Sequence, residues 1–72
     1  MELIEVEEKQ QLSREEAATR LRQLADQLAR HNEVEFERAG VQFRAHVPDD
    51  VLFTFEFEIE DGGCELEIEL SW

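Results

Sequence analysis

From Val51 to Ile59 every odd position is apolar: Val51, Phe53, Phe55, Phe57 and Ile59. From Cys64 to Trp72 every even position is apolar: Cys64, Leu66, Ile68, Leu70 and Trp72. Six glutamates fill the gaps: Glu56, Glu58, Glu60, Glu65, Glu67 and Glu69. Strict alternation places successive side chains on opposite faces of a strand. Asp61-Gly62 between the two runs is a strong hairpin signal. A tight turn there pairs Ile59 with Cys64, Phe57 with Leu66, Phe55 with Ile68 and Phe53 with Leu70. Slipping the register by one residue would set Phe and Ile against Glu, so the pairing is strongly specified. The result is a hairpin with one oily face and one anionic face.

The preceding residues supply a helix and more strands. Ser13 is a good helix N-cap, with Glu16 three residues on completing a capping box. Ala17, Leu21, Leu24, Ala25 and Leu28 form an apolar stripe at helical spacing. No Gly or Pro interrupts 13–30, and Asn32 can adopt the left-handed exit conformation. Val34 and Phe36 then share one strand face, as do Val41, Phe43, Ala45 and Val47. A turn at Ala39-Gly40 sets Phe36 opposite Phe43 and Glu35 opposite Arg44, either as a primed turn or as a bulged turn built on Gly40. Pro48-Asp49-Asp50 ends this segment, because proline lacks an amide donor. Residues 2–8 read as a further strand, with Ile4 and Val6 on one face.

These elements predict one α+β domain over residues 1–72. Its expected architecture is an antiparallel sheet of about five strands, in the order β-α-β-β-β-β, with one helix on one face. The position of the first strand, at either edge, stays open. All five phenylalanines are expected to point inward under the helix. Trp72 and Cys64 share that parity, so Trp72 is expected to seal the core beside Val51, or, as the terminal residue, to be partly exposed as a contact point, and Cys64 to act as a small buried hydrophobe. Seventy-two residues provide little core, so nearly every apolar position must be used.

Charge narrows the function classes. The formal net charge is −12, from 19 acidic and 7 basic residues. Binding nucleic acid or an anionic membrane needs clustered Lys and Arg, so neither is expected as a direct partner. The lone cysteine excludes an intramolecular disulfide and a cysteine-rich zinc site. With no signal-peptide pattern and no apolar run of membrane-spanning length, the expected location is the cytoplasm. His31 and His46 lack a ligand-spaced companion, and Asp49-Asp50 lacks the spaced pattern of a calcium loop. Ser13 is accounted for as a cap, and the glycines lie in turns. A flat exposed sheet offers no cleft that would hold two carboxylates in different environments, so no catalytic, cofactor-binding or metal residue is assigned.

The same register that aligns the oily residues sets Glu58 opposite Glu65 and Glu56 opposite Glu67, a destabilising arrangement of like charges. No Lys or Arg follows Arg44, which is placed to reach Glu56 diagonally. A solvated face that keeps the sheet soluble and guards its edge is one sufficient account. The other is a surface for something cationic: a basic protein segment, a polyamine or a loosely held divalent metal. An imitation of DNA phosphate rows is a variant of that second account.

The segment SREEAATRLRQLADQLA at 13–29, the link VPDDVLF at 47–53 and the ending DGGCELEIELSW at 61–72 resemble the small amphi-Trp domain of bacteria and archaea. The resemblance spans nearly the whole chain. It implies a stand-alone one-domain protein, and it carries no activity, cofactor or catalytic residue with it. The expected role is a non-enzymatic interaction module that meets a basic protein or polyamine through Glu56, Glu58, Glu60, Glu65, Glu67 and Glu69. The alternative is a self-associating, homodimeric structural protein using an edge strand or sheet face.

Overall fold

A computed structural model describes residues 4–72. Its elements are helix α1 (Arg14–His31) and strands β1 (Glu33–Arg38), β2 (Val41–His46), β3 (Leu52–Glu60) and β4 (Gly63–Ser71). The helix begins where the sequence places it: the Ser13 hydroxyl accepts a hydrogen bond from the Glu16 amide at 3.1 Å. Glu15 and Glu16 occupy the first turn and Arg30 and His31 the last, which suits the helix dipole. Asn32 ends the helix in the left-handed conformation, with φ of 54°.

The first hairpin follows directly. β1 and β2 are antiparallel, with Phe36 opposite Phe43 and Glu35 opposite Arg44. The two rings stack with centroids 5.3 Å apart. Arg44 Nε lies 3.2 Å from Glu35 Oε1. Ala39 and Gly40 both have positive φ, 51° and 77°. That is the signature of a type I′ turn, so the primed form is adopted even though alanine is poorly suited to it. The helix rests on β1, where the Glu35 amide donates to Gln27 Oε1 at 3.4 Å.

The second hairpin has the expected register along its entire length, from Leu52 opposite Ser71 to Glu60 opposite Gly63. It differs from expectation in its surroundings. β3 and β4 form a sheet separate from β1–β2, and no Cα of either strand lies within 8 Å of one in the helix or the first hairpin. The single sheet expected from sequence is therefore two sheets of two strands. The interruption lies at the hinge. The Val47 amide is committed to the Asn32 carbonyl at 2.8 Å, and Pro48 has no amide to donate. No ladder passes from β2 into β3.

Residues 4–8 of the expected first strand are irregular, and residues 2 and 3 lie outside the described residues. This segment is held by side chains. Arg20 reaches Gln10 Oε1 and Glu8 Oε2, and Arg38 Nη1 donates to the Glu5 carbonyl at 3.1 Å. A backbone acceptor satisfied by an arginine side chain adds no strand to a sheet.

Burial separates the two hairpins. Among the described residues only Val47 is buried, at 8% exposure. Val34, Phe36, Phe43 and Ala45 are half-buried. Phe53, Phe55 and Phe57 are not inward: all are exposed, Phe55 at 60%. Cys64 is exposed, and Trp72 is 58% exposed and seals no core. These expectations fail for one reason. Parity fixes which face a side chain shares, but not whether another element covers that face.

Candidate functional site

The second hairpin presents two surfaces. On the acidic side, Glu56 lies opposite Glu67 and Glu58 opposite Glu65, while Glu69 faces Thr54 and Glu60 faces Gly63. Within β4, Glu65 and Glu67 are two residues apart and so share a face. The Glu67 carboxyl is held above its ordinary pKa. Hydrogen bonding and charge from Glu65 contribute most, followed by the charge of Glu56 and, more weakly, that of Glu58. Protonated Glu67 can hydrogen-bond to Glu65, and ionising it adds one more negative charge among three like-charged neighbours.

Among the described residues no cation relieves that crowd. The ion pairs are Lys9 with Glu7, Arg20 with Glu8 and Arg44 with Glu35. Arg44 does not reach Glu56, because it is engaged within its own hairpin and β2 does not adjoin β3. All six glutamates named from the sequence therefore stand together on one hairpin, without a basic partner. Near the turn, Glu58, Glu60, Gly62, Gly63, Cys64 and Glu65 line an open hollow of about 210 Å³. No group of three or more potential metal ligands is arranged to hold an ion among the described residues.

The opposite side carries Phe53, Phe55, Phe57, Ile59, Leu66 and Ile68, all exposed. Sequence reasoning assigned this side to the core and so missed it as a surface. A second apolar surface lies on the helix. Leu12, Ala17, Leu21 and Leu24 help to line a groove of about 530 Å³ bounded by Glu8, Gln10, Arg20 and Glu35. Leu21 and Leu24 are exposed within it. A countable signal for both surfaces was present in the sequence. One helical stripe of five apolar residues was asked to cover two oily hairpin faces.

No helix among the described residues is long and apolar enough to cross a membrane. The fold and its surfaces define a small, strongly acidic α+β domain whose longest strands alternate apolar and acidic side chains. The chain belongs to the Amphi-Trp domain family, whose model matches residues 1–72. No curated protein and no solved structure matches it.

Proposed function

We propose that the protein is a non-enzymatic interaction module of the cytoplasm that engages a cationic partner through the acidic face of β3–β4. The observation that carries this reading is the register. It opposes Glu56 to Glu67 and Glu58 to Glu65, and among the described residues no basic side chain is paired to any of them. Such a face destabilises its own hairpin and attracts positive charge, and a cation bound across it removes the repulsion. A basic protein segment or a polyamine has the required chemistry and can lie along a flat strand pair. Association of this kind is fast and weakens as salt rises.

Calorimetric titration with spermine, and with a lysine-rich peptide, tests the reading at low and high salt. Binding is expected at low salt, falling steeply with ionic strength. It should be lost when Glu56, Glu58, Glu65 and Glu67 are all replaced by Gln. Absence of binding to either ligand at low salt overturns it. A second reading, self-association through a sheet face, is favoured by a different observation: the uncovered phenylalanines of β3.

A further inference from the structure

We infer that the oily face of β3–β4 is covered by the helix of a second copy of this chain, the two copies exchanging hairpins reciprocally. This rests on the self-association reading and specifies its geometry. The surface area sets the scale. The chain exposes 6933 Å². A folded monomer of its 8.5 kDa mass exposes roughly 4,700 Å². The excess of about 2,200 Å² per chain matches one partner's share of a large obligate interface, which buries some 2,000–5,000 Å² in total. An isolated two-stranded hairpin is also marginal in water, so β3–β4 needs a cover to persist.

Length and charge identify the cover. The helix of 18 residues is about 27 Å long. Each strand of the second hairpin has nine residues, about 30 Å. The helix as a whole is thus about as long as the face it would meet, and Leu21 and Leu24 lie exposed along it. The helix carries Arg14, Arg20, Arg22 and Arg30 against Glu15, Glu16 and Asp26, a net charge of +1. Residues 51–72 carry seven acids and no Lys or Arg, a net charge of −7. Helix against hairpin brings elements of unlike net charge together, whereas hairpin against hairpin would bring together two elements of net charge −7, even with their acids on the outer faces. The hinge favours exchange. Val47 is tied to Asn32 and is followed by Pro48, so β3–β4 leaves from a fixed point, and its backbone stays more than 8 Å, Cα to Cα, from the helix and the first hairpin. A short hinge bearing a self-complementary arm is the usual setting for exchange between identical chains.

Two variants test the inference by complementation. Leu24→Asp spoils the helix strip, and Phe55→Asp spoils the hairpin face. In a reciprocal dimer each variant alone loses both interfaces. A mixed dimer keeps one interface intact, between the helix of the Phe55 variant and the hairpin of the Leu24 variant. Sedimentation velocity should show the unaltered chain as a dimer. Each variant alone should dissociate about a hundredfold more readily or worse, and the equimolar mixture should regain dimer where neither variant forms it. The milder pair Leu24→Gln and Phe55→Thr, with helix content followed by circular dichroism, separates lost association from lost folding. An unaltered chain that is monomeric at all concentrations overturns both the self-association reading and the exchange, and points to closure on its own helix or to a foreign partner. A dimer that persists in the Leu24 variants, or that mixing does not restore, overturns the exchange alone and leaves hairpin-on-hairpin pairing.

Discussion

The two hairpins of this chain are made by the same rule and end in opposite circumstances. Both alternate apolar and polar residues, both turn in two residues, and both hold the register their sequences specify. β1–β2 opposes Glu35 to Arg44, stacks Phe36 on Phe43 and lies against the helix. β3–β4 is longer and more regular, yet it opposes Glu to Glu and leaves its phenylalanines in water. Regular alternation therefore measures how well a strand pair is specified, not how well it is housed. The shorter hairpin is the supported one because its neighbour, the helix, precedes it directly in the chain.

The largest expected effect contrasts two phenylalanines. Phe43→Ala removes a stacked, half-buried ring and should cost about 2–3 kcal/mol at any protein concentration in chemical denaturation. Phe55→Ala should cost a comparable amount only at concentrations where the chain associates, and little in the dilute monomer. Equal, concentration-independent losses at both sites would erase the distinction between a housed and an unhoused hairpin.

A smaller effect sharpens the comparison at the turns. Ala39 occupies a left-handed position that asparagine tolerates better, whereas neither Asp61 nor Gly62 has a positive φ, so asparagine has no such advantage at 61. Ala39→Asn should therefore raise stability by about 0.5–1 kcal/mol, read as a shift in denaturation midpoint. Substituting Asp61 by Asn should change little. A destabilised Ala39→Asn chain would mean that the alanine methyl has a role beyond backbone geometry.

Charge changes should have opposite signs in the two hairpins. Arg44→Gln removes an exposed ion pair and should cost a few tenths of a kcal/mol. Glu67→Gln removes repulsion and should stabilise, most visibly at low salt. The same logic sets the pH response. The folded-state pKa of Glu67 is raised, so the folded hairpin binds its proton more readily than the unfolded chain does. Stability should rise as pH falls from neutrality through that raised value and should level off below the ordinary glutamate range. Thermal melts from neutral to mildly acidic pH check this. A response that is unchanged in Glu67→Gln would exclude Glu67 as its source.

Local structure was legible in the sequence and long-range placement was not. Ser13, Asn32, the Asp61-Gly62 turn and both registers follow from spacing and residue chemistry, because each is decided within a few residues or by a period of two. The acidic face was legible for the same reason: Glu56 meets Glu67 once the turn is known. The burial of Phe53, Phe55, Phe57, Cys64 and Trp72 was not, because parity names a face without naming its cover. The expected strand at 2–8 shows the same limit from the other side. Ile4 and Val6 alternate with glutamates, but Glu5 gives its carbonyl to the Arg38 side chain, and alternation alone does not provide a neighbouring edge.

The bond from the Val47 amide to the Asn32 carbonyl closes the base of the first hairpin, so all relative movement of the two halves passes through the link that follows it. Four peptide steps from Val47 to Val51 reach at most about 14 Å. A tether of that reach sets the local concentration at which a chain's own helix meets its own hairpin. That concentration is negligible when the geometry cannot be spanned and reaches roughly millimolar once the tether is long enough. Link length is thereby a dial between intermolecular and intramolecular association. A few residues added at Asp49 would turn it toward a self-contained chain without altering a single contact surface.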